Sequence, residues 1–151
     1  MAESKGNMRV VILTPYKRLF DLSGVTELYF PIENGVIGVL PGHAPMVTAV
    51  GTGILIYTQN DVSGFFKVSG GVAEVTGGSV TLLVDVAEDA SQIDLERARK
   101  ALERAESRLN TKTSDSELDT KRAEFARLKA LSRIQASELN KNKQSQTSKP
   151  E

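Results

Sequence analysis

Few side chains in this chain could carry chemistry. His43 is the only histidine and cysteine is absent, which removes disulfides, thiolate metal sites and a cysteine nucleophile. A nucleophile and base would have to pair His43 with a hydroxyl such as Ser69, but there is no G-x-S-x-G elbow and no second histidine to share a proton. The expectation is no catalytic residue and no metal site, with His43 a loop histidine bonded to nearby backbone. Gly70-Gly71 and Gly77-Gly78 read as hairpin turns, and the phosphate-loop pattern G-x-x-x-x-G-K-[ST] is missing. What remains suits an anion: Asp94 and Arg97 three residues apart, with Arg104, Arg122 and Arg133 further along. Guanidinium matches phosphate in a bidentate fashion, and a carboxylate can accept from an adenine amino group. The same spacing also suits a surface ion pair worth roughly 0.3 kcal/mol.

These groups lie in two unlike halves. Through residue 90 there are five Lys or Arg against nine Asp or Glu, and after it fourteen against ten, so a net charge of zero conceals halves of −4 and +4. All three tyrosines and four of the five phenylalanines, Phe125 excepted, fall in the first half. A Val, Gly and aromatic-rich half followed by one rich in Ala, Leu, Arg and Glu predicts a β domain joined to a helical one. Nine short strands are expected: residues 8–14, 19–22, 27–32, 36–40, 46–50, 53–58, 64–69, 71–76 and 79–86. With no helical periodicity between them, they predict an antiparallel β-sandwich or flattened barrel.

The stretch Gly35-Val36-Ile37-Gly38-Val39-Leu40-Pro41-Gly42-His43-Ala44-Pro45 must form a shaped corner between two strands. Its glycines permit unusual φ, and each proline confines the residue before it. From Ala87 the pattern changes. Ser91 is the expected helix N-cap, with Asp94 in the first turn. Ala98, Leu102, Ala105 and Leu109 recur at helical spacing, residues 110–115 break the run, and a second helix is expected from about Ser116 to about Leu139. Together they predict an antiparallel helical hairpin. Its alanines at 98, 101, 105, 123, 126 and 130 allow close approach but bury little area. The expected domains are residues 1–88, 89–140, and a polar tail, 141–151, without periodicity and expected to be disordered.

The hairpin is rich in cations, but Glu96, Glu103, Glu106 and Glu124 are interleaved and no aromatic platform accompanies them, so a solvated face is expected and nucleic acid is not a partner. No run of about 18 apolar residues exists, so membrane association would come only through partners.

The motif G-x-x-G-x-L-P-G-H-A-P, the segment Ser69-Gly70-Gly71-Val72-Ala73-Glu74-Val75 and the segment Ile93-Asp94-Leu95-Glu96-Arg97-Ala98 together resemble the epsilon subunit of F-type ATP synthases, called delta in mitochondria, in order and spacing from about Met8 to Leu139. The resemblance implies a non-catalytic rotor subunit of the central stalk. Its β domain would bind the gamma subunit and rest on the ring of c subunits, with Gly38, Pro41, Gly42, His43 and Pro45 near that interface; Val36 stands where many relatives carry a polar residue. Its helices would regulate ATP hydrolysis, reaching the alpha/beta catalytic hexamer when extended. No cofactor is required, and ATP would be a regulatory ligand of Glu88, Ile93, Asp94, Arg97, Ala98, Arg122, Lys129 and Arg133; Lys129 keeps a charge where some relatives carry arginine but lacks its fork. The implied location is peripheral, on the cytoplasmic face of a bacterial inner membrane or the stromal face of a thylakoid. The residues alone also allow a free-standing β-sandwich adaptor whose hairpin dimerises as a coiled coil.

Overall fold

A computed structural model describes residues 6–110 and 117–147. The chain divides into two compact units, one ending at Asp89 and the other beginning at Ala90.

The first unit contains β1 (Met8–Leu13), β2 (Arg18–Ile32), β3 (Gly35–Val39), β4 (Met46–Ala49), β5 (Gly53–Gln59), β6 (Val62–Thr76) and β7 (Ser79–Asp89). Strand order β1-β7-β6-β5-β2, with β1 also pairing β2, closes a ring of five strands; β3 adds to β2 and β4 to β6. This is the expected sandwich or flattened barrel, with two corrections. The β1–β7 ladder is parallel, in register from Arg9↔Ser79 to Leu13↔Leu83, while the other ladders are antiparallel. Seven strands also stand where nine were expected, because the breaks expected between residues 22 and 27 and at Gly70 are handovers inside the long strands β2 and β6.

In β2, residues up to Val25 pair with β1 and those from Val25 onward with β5 and β3; Gly24, at φ 77°, marks the change. In β6, residues 62–68 pair with β5 and 72–75 with β4, changing at Gly70-Gly71. Gly71 has φ 127°, and a Cβ there would lie 2.1 Å from the Leu83 carbonyl oxygen, so only glycine lets β6 pass so close to β7. Each long strand thus serves both layers, and inward residues from all of them meet in one core that includes Ile12, Leu28, Phe30, Leu55, Phe66, Val68 and Leu82. Phe20 lies edge-on to Phe66 at 5.0 Å and tilted against Tyr57 at 4.9 Å.

The second unit opens with a 3₁₀ turn, Ala90–Gln92, followed by α1 (Leu95–Asn110) and α2 (Glu117–Thr147). The N-cap of α1 is Asp94 and not Ser91, which lies in the 3₁₀ turn: Asp94 Oδ1 accepts the Arg97 backbone N–H at 3.0 Å. Ala98 and Ala105 of α1 and Ala123 and Ala130 of α2 are buried, and the two helices pack together. The helix α2 continues eight residues beyond the expected end at Leu139, and residues 141–147 are helical where disorder was expected. Asn, Lys, Gln, Ser and Thr are poor cores but not helix breakers, and no Pro or Gly intervenes before Pro150. The expected break falls, from residue 111, outside the described residues, as do residues 148–151.

Candidate functional site

Two regions concentrate the residues singled out by the sequence. The first is the corner between β3 and β4. Leu40, Pro41, Gly42 and His43 form a tight turn closed by the His43 N–H to the Leu40 carbonyl at 3.1 Å, with Gly42 at φ 90°. Proline second and a positive-φ glycine third define a type II turn. His43 Nδ1 lies 2.7 Å from the Ala44 carbonyl oxygen, and since a carbonyl only accepts, Nδ1 carries the proton. The Ser69 hydroxyl is meanwhile shared with Thr52 at 2.9 Å. Gly38 lies opposite Tyr29 in the β2–β3 ladder, and a Cβ at Gly38 would fall 2.7 Å from the tyrosine ring, so the ring lies across the glycine. Leu40 and Val36 are exposed. Beside the corner opens a groove of about 490 Å³ lined by Gly6, Thr26, Glu27, Leu40, Pro41, Thr58 and Asp61. The corner is therefore a relief fixed by its backbone, with apolar Leu40 and Val36 exposed on it.

The second region is the hairpin. Two ion pairs, Arg99–Glu138 at 3.9 Å and Arg127–Glu106 at 3.7 Å, cross between α1 and α2 and fix their antiparallel register. Stepping about 100° per residue from the buried alanines, both pairs fall on one side of the hairpin. Arg97, Arg104 and Arg108 of α1 and Arg122, Lys129 and Arg133 of α2 fall on the other. Glu103, Glu106, Glu124 and Glu138 lie toward the ion-paired side. Acids and bases interleaved in sequence are thus segregated in space, and one face of the hairpin is cationic.

The same register sorts the expected nucleotide residues. Arg97 is level with about Glu138, so Arg133 is roughly 8 Å away along the axis and Lys129 roughly 13 Å. Arg122 is roughly 24 Å along and lies past the level of Asn110, the last residue of α1. Arg97, Arg104, Lys129 and Arg133 thus occupy one stretch of the cationic face; Arg122 stands apart from Arg97. Asp94 meets Arg97 through the backbone cap and not through its guanidinium. Ala98 is buried, Ile93 half-buried, and Ile93 N–H points to the Ala90 carbonyl at 3.4 Å. In the first unit Glu88 stands opposite Lys67 in the β6–β7 ladder. Lys67 is fully buried, although its alternation away from Phe66 and Val68 reads in sequence as a solvated position. A buried ammonium needs compensating charge, and both Lys67 and Glu88 make polar or charged contacts. Nothing in the local sequence distinguishes Lys67 from a surface lysine.

Among the described residues no group of three or more His, Asp or Glu side chains is placed to hold a metal, and no helix is long and apolar enough to cross a membrane.

Residues 7–90 match the family model described as ATP synthase, Delta/Epsilon chain, beta-sandwich domain, and residues 91–138 that of the long alpha-helix domain. The sequence is 46% identical over 132 residues to the ATP synthase epsilon chain of Desulforamulus reducens, spanning 86% of this chain and 96% of that protein. It is 36% identical over 130 residues to the ATP synthase epsilon chain of Symbiobacterium thermophilum, spanning 86% and 92%. The fold is similar to a chain of the Euglena gracilis mitochondrial ATP synthase, solved with F1 and c-ring, at TM-score 0.75 and 24% identity over 87% of this chain and 81% of that one. It is also similar to a chain of the Tetrahymena thermophila mitochondrial ATP synthase central stalk and c-ring, at TM-score 0.62 and 17% identity over 91% and 99%.

Proposed function

The chain belongs to the delta/epsilon family of ATP synthase, and from that premise we propose that it acts as a non-catalytic subunit of the rotor, coupling proton translocation to ATP synthesis and restraining ATP hydrolysis. The observation that carries this reading is the match of both modules, in order, across nearly the whole length of the curated relatives. In it the sandwich binds the gamma subunit, and the corner Gly38, Pro41, Gly42, His43 and Pro45 rests on the ring of c subunits. The rigid type II turn and exposed Leu40 support a docking role there, since a fixed apolar relief loses little conformational entropy on contact. The subunit is peripheral, held to the cytoplasmic face of a bacterial membrane only through its partners.

The hairpin regulates by taking two positions. Its helix–helix interface is built from alanines, which bury little area, and the like charges along one face repel one another, a repulsion that a bound anion would relieve. ATP binding only to the compact form would shift the population by its differential affinity. Extended, the helices would reach the alpha/beta hexamer and oppose hydrolysis. Arg97, Arg133 and Lys129 make the phosphate contacts, while Arg122 contributes little because of its distance along the hairpin.

Calorimetric titration of the full chain with ATP tests the switch, alongside Arg97→Ala, Arg133→Ala and Arg122→Ala. Heat and thermal stabilisation that vanish in the first two variants and persist in the third are the expected result. Neither signal at millimolar ATP would leave the hairpin set by gamma alone. Co-purification with gamma tests the stalk assignment independently. A second reading, a hairpin that dimerises, draws on Leu118, Phe125, Leu128 and Leu139, which are exposed within one narrow arc of α2. A monomer in sedimentation velocity removes it.

A further inference from the structure

The matched helical domain ends at residue 138, but α2 continues to Thr147. The antiparallel register set by Arg99–Glu138 and Arg127–Glu106 places α1's first residue, Leu95, level with about residue 140. The last two turns of α2 therefore overhang the start of α1, at the level of the 3₁₀ turn Ala90–Gln92. The helix α2 packs against that turn, and Ala90 is buried. Ser91 on the turn and Asn142 and Lys143 on the overhang each make a polar or charged contact. We propose that residues 140–147 are a strap, which holds the 3₁₀ turn to the hairpin as one body.

The turn is the first structure after the boundary between the two units, so the strap decides where the chain can pivot. With the strap in place the turn moves with the hairpin, and rotation is confined to the Asp89–Ala90 junction. With the strap detached, residues 90–93 join the pivot and lengthen it. Alone, the turn has little to hold it: the Ile93 N–H to Ala90 carbonyl contact is long at 3.4 Å, and an isolated 3₁₀ turn is marginal. The consequence for regulation rests on the two-position hairpin proposed above, whereas the strap itself is a property of the free chain.

Hydrogen exchange on the full chain tests it, against a variant ending at Leu139 and a second carrying Asn142→Pro, which breaks the overhang without deleting it. Amides of residues 90–93 should exchange at least about tenfold faster in both variants, while those of α1 from Ala98 to Arg108 and of the β6–β7 ladder keep their rates. Unchanged exchange at 90–93 in both would overturn the strap, and so would equal acceleration across α1, which would mark a general loosening of the hairpin. Exchange in the free chain requires neither ATP nor gamma, so failure of the strap and failure of the stalk assignment give separate signatures.

Discussion

Arg9 grips Asp21 with both arms of its guanidinium, Nε to Oδ1 at 2.9 Å and Nη2 to Oδ2 at 2.7 Å, across the β1–β2 ladder; Arg18 Nη1 reaches the same Oδ2 at 3.2 Å. The hydrogen bond from Arg9 is the main cause that holds the Asp21 carboxyl below its usual range, against a smaller opposing desolvation, and it raises Arg9 in turn. Because the folded state favours the ionised carboxylate, the stabilisation is present above the unfolded value, about 3.9, and is lost as pH falls through the lower folded value. Thermal melts from pH 7 to pH 3 should show a steeper acid loss for the native chain than for Asp21→Asn. Parallel curves would mean that solvent screening leaves the pair without effect on stability.

The two glycine pairs that look alike in sequence should behave differently. Gly71→Ala forces a Cβ onto the Leu83 carbonyl and a side chain into φ 127°, whereas nothing lies within 4 Å of a Cβ at Gly77. Chemical denaturation should show a loss of about 2–4 kcal/mol for Gly71→Ala and within about 0.5 kcal/mol for Gly77→Ala. Equal losses would show that β6 relaxes freely at the handover.

That contrast also marks how far the sequence could be read. The switch from β to helical character near residue 90, the hairpin and the corner are all carried by local composition and spacing, so they were legible. The merging of strands at Gly24 and at Gly70-Gly71 was not, because a glycine with positive φ serves a turn and a sheet handover equally well. The parallel β1–β7 ladder joins residues some 70 positions apart, beyond any local pattern. At the candidate site, Arg97 and Arg133 were singled out by type and spacing, and Lys129 only by the family resemblance. The separation of Arg122 and the segregation of charge depend on hairpin register, which only the pairing of Arg99 with Glu138 and Glu106 with Arg127 reveals.

His43 should be dispensable for chemistry. Its ring proton is committed to the adjacent Ala44 carbonyl, and the turn is closed by backbone, so His43→Gln keeps the corner. ATP turnover by the assembled complex should stay within tenfold, equivalent to about 1.4 kcal/mol of barrier. A loss of several orders with assembly intact would place a proton-transfer role at the corner.

The first unit should stand alone. Its core draws on β1 to β7 and ends with the chain at Asp89, so a fragment ending there should keep cooperative melting and the near-ultraviolet signal of the Phe20, Tyr57 and Phe66 cluster. It should also still bind gamma. A molten fragment would show that the sandwich depends on the helices for its stability.

Asp94 can be tested for two roles at once, because its cap and its charge are separable. The Oδ1 that accepts the Arg97 N–H is one that an asparagine side-chain oxygen can replace, while alanine removes it. Asp94→Ala should therefore lower the stability of the second unit by about 1 kcal/mol through the lost cap, and both variants lose the favourable charge at this exposed helix N-terminus, worth about 0.3 kcal/mol. If the carboxylate serves only as a cap, ATP affinity in the two variants should track this order, with Asn close to the native chain. If it also accepts from the adenine amino group, the neutral amide is the weaker acceptor, and Asp94→Asn should lose ATP affinity while its melting temperature is nearly kept. Calorimetry and thermal melts on the same two variants read the roles independently. A native-like ATP affinity in both variants would remove Asp94 from the binding site and leave the arginines of the cationic face to act alone.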